Sequence, residues 1–182
     1  RGLLLDGHEA DEAVREEHMK SFKDADGRVV VEELVKTIQE NKGYLSEVDG
    51  AIGDGDHGIN MNKGFTTAWE RMKDEEVGLR EGLKTIGKTL VDEIGGAMGP
   101  LYGQFFRKMS RSLKGKEEVD AQAFAEMLDA AYGAIGELGD AKVGDKTLVD
   151  TLDPAVAAYK GALEEGKSFE EALDEIDRKS VV

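Results

Sequence analysis

Apolar residues along this chain recur every three or four positions, segment after segment, and that spacing commits most of it to helices with one buried face. Val29, Val31, Leu34, Val35, Ile38, Leu45 and Val48 form the first series and predict one long amphipathic helix ending near Asp49. A glycine-rich break follows. Met61, Phe65, Ala68, Trp69 and Met72 restore the period from Ile59 to about Lys73, and another series runs from Leu79 to Ile94, where Gly95-Gly96 stops it. Pro100 suits a first helical turn, and Leu101, Phe105, Phe106, Met109 and Leu113 continue from it. Lys114 to Glu118 reads as a turn. Phe124, Met127, Leu128, Ala131, Ile135 and Leu138 predict a helix closed by Gly139, with AKVGDK as its exit loop. Leu148 to Leu163 follows, with Pro154 near its first turn or kinking it. Ser168, with Glu171 three residues on, makes a capping-box pattern ahead of Phe169, Ala172, Leu173 and Ile176. The only β-branched run, Val29 to Val31, leads straight into helical spacing, so an all-α class with about seven helices is expected. No internal repeat is visible.

A chain of 182 residues fits one domain. We expect residues 19–182 to form it. Residues 1–18 read as a leader or tag, because His18-Met19 has the look of a join to a native start at Met19. Those opening residues are too acidic for a signal peptide, and no apolar run approaches the roughly 18–20 residues of a membrane span. A membrane partner is not expected, and the expected location is cytoplasmic. The net charge of −15 repels nucleic acid and acidic lipid, so a phosphorylated ligand needs bound cations to reverse the local field. The absence of cysteine excludes disulfides, thiolate metal sites and cysteine nucleophiles.

The segment from Asp49 to Asn60 sets three carboxylates and a histidine among four glycines, between two helices. Asp49, Asp54 and Asp56 repel one another when brought this close, and a cation among them is the simplest remedy. Magnesium prefers oxygen ligands and takes one or two protein carboxylates plus phosphate oxygens, so three aspartates can seat two ions. Glycines 50, 53, 55 and 58 allow close backbone approach, and the helix starting near Ile59 aims free N–H groups at the same place. Phosphate fits both features. A second glycine cluster, GGAMGPLYG at 95–103, makes a solvated turn the weaker explanation. His57 is either a hydrogen-bond partner of the acids or, protonated, a counter-charge to phosphate. Trp69 and Tyr102 read as packing residues, and the Glu117-Glu118 and Glu164-Glu165 runs as solvated faces.

FKDADGRVVVEEL, from Phe22 to Leu34, is like an EF-hand calcium loop with acids at its third, fifth and twelfth positions. Its first ligand position is Phe22, however, and a helix cap at Asp24 or Asp26 accounts for the same letters. A calcium-binding or scaffolding helical protein built on this loop is the alternative reading.

The letters YLSEVDGAIGDGDHGINMNKGF, then GGAMGPLYGQFF, then AKVGDKTLVDTLDPA, closely resemble the L subunit, or nucleotide-binding DhaL domain, of dihydroxyacetone kinases over roughly Val30 to Ile176. The resemblance implies an eight-helix antiparallel barrel holding ADP or ATP at one end through two Mg2+ ions. It implies Asp49, Asp54 and Asp56 as metal ligands, with His57 and Asn60 against the phosphates. Gly95, Gly96, Ala97, Met98 and Gly99 would bind phosphate oxygens through backbone N–H groups, and Leu148 would help wall the adenine. The family passes phosphate to dihydroxyacetone on a separate K subunit, with ADP recharged by a phosphotransferase-system M subunit in one branch and ATP the direct donor in another. The same nucleotide domain serving a different acceptor, such as another short ketose, is a further alternative. This chain departs from the pattern twice. Many relatives carry a hydroxyl residue where it has Met98, and the family continues beyond Ile176 with a glycine/arginine-rich stretch that closes over the nucleotide. The expectation is therefore a barrel incomplete at its C-terminal end, able to bind magnesium-dependent nucleotide and acting only with a partner.

Overall fold

The computed structural model describes residues 19–180, so the expected leader at 1–18 lies outside the described residues. Eight α-helices account for most of them: α1 (Arg28–Glu40), α2 (Lys42–Gly50), α3 (His57–Met72), α4 (Leu79–Glu93), α5 (Met98–Ser112), α6 (Ala121–Leu138), α7 (Leu148–Glu164) and α8 (Phe169–Ser180). The fold is all-α, as the apolar spacing requires.

Three details depart from that spacing. The long first helix is broken at Asn41, giving eight helices in place of about seven. Asn41 leaves the helical region (φ −95°, ψ 6°), and its side-chain amide donates to the Thr37 carbonyl oxygen at 2.8 Å. An asparagine side chain that competes for the preceding turn's carbonyl ends one helix while its own carbonyl starts the next, accepting from Leu45 N at 2.9 Å. Second, the expected turn after Lys114 forms, but it leads into a strand: Glu118–Asp120 pairs antiparallel with Ser21–Lys23 in a two-stranded ribbon. Val119 is fully buried there, between two exposed acids. Third, α5 begins at Met98, so Pro100 is its third residue; a missing N–H still costs nothing there, because first-turn donors have no intrahelical acceptor.

The main core is built by α1, α3, α4, α5 and α6 around Val31, Phe65, Met72, Leu83, Ile86, Leu90 and Leu113. A second cluster joins α6, α7 and α8 through Tyr159, Phe169 and Ala172. Phe22 and Phe124 pack against both, which makes the bundle continuous. Helices α4 and α5 form an antiparallel pair in near backbone contact. A Cβ at Gly87 would come within 2.7 Å of the Gly103 carbonyl oxygen, and one at Gly103 within 2.9 Å of the Gly87 carbonyl oxygen, so only glycine permits this approach. The α6/α7 pair is antiparallel too, pinned by Tyr132 Oη donating to Asp153 Oδ1 at 2.8 Å and by Tyr159 Oη donating to the Ala121 carbonyl oxygen at 2.9 Å. The capping box at Ser168 and Glu171 forms as expected, with reciprocal bonds of 2.7 and 3.2 Å. A second one, Thr147 with Asp150, opens α7. Among the described residues no helix is long and apolar enough to cross a membrane.

Candidate functional site

The loop between α2 and α3 brings three acids together. Asp49 sits in the last turn of α2, Asp56 is the N-cap residue of α3, and Asp54 lies between, with one carboxylate oxygen from each within 4.8 Å of the others. Among the described residues this is the one such trio of potential metal ligands. Backbone geometry makes it. Gly55 turns through the left-handed region (φ 75°), which glycine adopts at no steric cost. Gly58 lets α3 lie against α2: a Cβ there would collide with the Lys42 carbonyl oxygen and come within 2.7 Å of Ser46 Oγ.

Each carboxylate is held through one oxygen. Asp49 Oδ2 accepts from His57 N at 3.4 Å, Asp54 Oδ1 from Asp56 N at 3.3 Å, and Asp56 Oδ2 from the Asn60 side-chain amide at 2.7 Å. That leaves a second oxygen on each for a cation. Ligand atoms of one octahedral magnesium lie about 3 Å apart when adjacent and about 4.2 Å apart when opposite, somewhat closer than the 4.8 Å within which this trio falls. Asp54 and Asp56 are exposed and Asp49 is half-buried, an arrangement that suits a cation shared with a ligand from solvent. The residues present fit magnesium.

The second glycine cluster flanks this loop. Gly95, Gly96 and Ala97 are exposed between α4 and α5, with Gly96 in the left-handed region (φ 68°). Lys63 Nζ, on α3, donates to the Glu93 carbonyl oxygen at 3.2 Å, and the His57 ring meets the Tyr102 ring edge-on at 6.0 Å. The first contact ties α3 to the end of α4, and the second brings the first residue of α3 against the second turn of α5. Neither α3 nor α5 has a side-chain cap from its own N-cap residue, and although Asp49 takes the His57 N–H, the other first-turn N–H groups can face an anion. Met98 is half-buried against the core and Gly99 is fully packed, its missing Cβ facing the Ile94 and Leu90 carbonyl oxygens. Leu148 is the first residue of α7, half-buried, in a helix whose main neighbours are α6 and α8. It is not joined to the acid loop as His57 and Asn60 are.

Tyr102, a packing residue by its spacing, also touches His57, and burial pushes its phenol above the ordinary range, so it stays protonated. Nothing in the spacing pairs residues 57 and 102. Trp69 is a packing residue as expected, with the Arg28 guanidinium 5.1 Å over its ring. Of the EF-hand-like acids, Asp24 is engaged elsewhere: its Oδ1 accepts from Arg80 N at 2.7 Å and so caps α4.

The fold and site thus define an all-helical domain that gathers three carboxylates beside two open helix N-termini. Residues 51–181 match the family model described as the DAK2 domain, and the chain belongs to that family. Asp49 lies two residues ahead of the match. The chain is 41% identical over 122 residues to "PEP-dependent dihydroxyacetone kinase 1, ADP-binding subunit DhaL" of Listeria innocua, covering 66% of this chain and 61% of that protein. It is 38% identical over 144 residues to "PTS-dependent dihydroxyacetone kinase, ADP-binding subunit DhaL" of Lactococcus lactis, covering 79% and 70%. The crystal structure of the dihydroxyacetone kinase of C. freundii superimposes with a TM-score of 0.61 at 25% identity, over 80% of this chain and 26% of that one.

Proposed function

We propose that this chain holds the nucleotide for a dihydroxyacetone kinase and hands phosphate to an acceptor carried by a separate partner. One observation carries the reading: Asp49, Asp54 and Asp56 converge within 4.8 Å at the start of α3, a helix whose N-cap residue gives it no side-chain cap. The ligand is ADP or ATP, and the relatives named above as ADP-binding subunits support ADP.

On this reading the three aspartates hold Mg2+, two ions in all, and the cations supply the charge neutralisation a di- or triphosphate needs in so acidic a protein. His57 lies against the phosphates. Asn60 does the same while keeping Asp56 turned inward with its amide. The backbone N–H groups of Gly95, Gly96, Ala97, Met98 and Gly99 bind phosphate oxygens, with no hydroxyl contribution from Met98, and Leu148 walls the adenine. Phosphoryl transfer asks a protein mainly for positioning and charge stabilisation, so no protein nucleophile is required and the aspartates are ligands, not acceptors.

The acceptor is dihydroxyacetone on a K subunit, and the relatives' PEP- and PTS-dependence favours ADP recharged in place by an M subunit over ATP as direct donor. Such a partnership belongs in the cytoplasm. The test is reconstitution: the chain with a dihydroxyacetone-loaded K subunit, Mg2+ and either ATP or a phosphorylated M subunit. Dihydroxyacetone phosphate should form with one of the two donors and with none if any component is withheld. No product with either donor, from a chain that binds Mg–ADP, rejects the kinase reading.

A further inference from the structure

We infer that Tyr102 is a positioning residue for His57, joining the glycine-rich loop to the acidic loop through one ring contact. The inference rests on the nucleotide reading above for its consequence, though not for its geometry. Tyr102 stands on α5 three residues after Gly99 and four after Met98, so its ring moves with the start of that helix. His57 is the first residue of α3; its backbone N–H is tied to Asp49, and its side chain meets Tyr102 at 6.0 Å with the planes at 74°.

Tyr102 is half-buried and packed against the main core. It also borders a cleft of about 500 Å³ walled by α1, α3 and α5. An imidazole on a loop-proximal helix start otherwise samples several rotamers; an edge-on aromatic neighbour selects one. The His57 backbone is thus set by the acids and its ring by α5. Any shift of the glycine-rich loop relative to the metal ligands is transmitted to one side chain that serves both. The contact is ring to ring, so the phenol oxygen is dispensable.

The experiment uses the whole chain with isotope-labelled histidine, and reads the His57 imidazole resonances and their cross-relaxation to the Tyr102 ring without ligand. Wild type should show ring-to-ring cross-relaxation. Y102F should keep the His57 shifts and bind Mg–ADP within about twofold of wild type. Y102L should move the His57 shifts towards ordinary histidine values and weaken Mg–ADP binding by about 2- to 10-fold, the worth of one edge-on ring contact. Absent cross-relaxation in wild type, or unmoved His57 resonances in folded Y102L, overturns the inference. Should Y102L fail to fold, the wild-type spectrum and Y102F decide. If wild type binds no Mg–ADP, the nucleotide reading falls while the shifts and cross-relaxation still judge the ring contact.

Discussion

Replacing Asp54 with asparagine should raise the thermal stability of the ligand-free protein and remove its response to magnesium nucleotide. The carboxylate of Asp54 lies within 4.8 Å of those of Asp49 and Asp56. Two unit charges at that distance repel by about 0.9 kcal/mol in bulk water and by about 3.5 kcal/mol at an effective dielectric constant near 20. Asp54 is exposed, so the lower value applies and salt reduces it further. Removing two such pairs should stabilise the metal-free protein by on the order of 1 kcal/mol, or about 2–4 °C in Tm for a domain of this size. The amide that replaces the carboxylate keeps a side-chain oxygen to accept from Asp56 N, so the turn itself survives. With Mg2+ and ADP the order reverses: wild type gains about 2.7 kcal/mol at a ligand concentration of about 100 times Kd, and D54N gains almost nothing. Thermal melts followed by circular dichroism, in chelator and then in Mg–ADP, read both effects. A D54N protein that melts lower than wild type in chelator, or that gains as much from Mg–ADP, refutes the argument.

The remaining predictions concern the frame that brings the acids together. Gly58→Ala should cost about 1–3 kcal/mol in urea unfolding, because its Cβ meets α2 backbone, and should weaken magnesium binding by displacing Asp49 from its partners. Gly133→Ala, in α6 with open space around it, should instead stabilise by about 0.5–1 kcal/mol; the same sign for both changes would deny the α2/α3 contact its role. Asp150 accepts from Gly144 N and Thr147 N, which hold its carboxyl below the ordinary range. Its folded pKa lies under its unfolded one, so its contribution is complete above the ordinary carboxylate range and is lost as pH falls through the lowered value. Asp150→Ala should therefore lower Tm at neutral pH, with the gap from wild type closing in strong acid; a gap independent of pH contradicts the assignment.

Much of this architecture is legible in the residues. The 3- and 4-residue spacing gives the helices because each must bury one stripe, and Gly95-Gly96 and the Ser168/Glu171 box mark ends through local chemistry alone. The convergence of Asp49, Asp54 and Asp56 is legible for the same reason: they are close in the chain, and the glycines between them allow the tight turn that brings them together. What stayed hidden is either subtle or distant. The break at Asn41 turns on one side chain competing for a carbonyl, which the apolar period does not register. The ribbon joins Ser21–Lys23 to Glu118–Asp120, strands three residues long and too short to show alternation. The Thr147/Asp150 box is an exception, unread although its T-x-x-D signal stands at the head of an apolar run. The contact between His57 and Tyr102 spans two loops and follows only from how α3 and α5 pack.

The assignment of the acids to a magnesium-held nucleotide is tested most directly by calorimetric titration of ADP into this chain, once with Mg2+ and once with chelator. Saturable one-to-one binding with the cation, falling at least a hundredfold without it, is the predicted result. Equal affinity under both conditions, or heat from calcium binding alone with none from ADP, would contradict it.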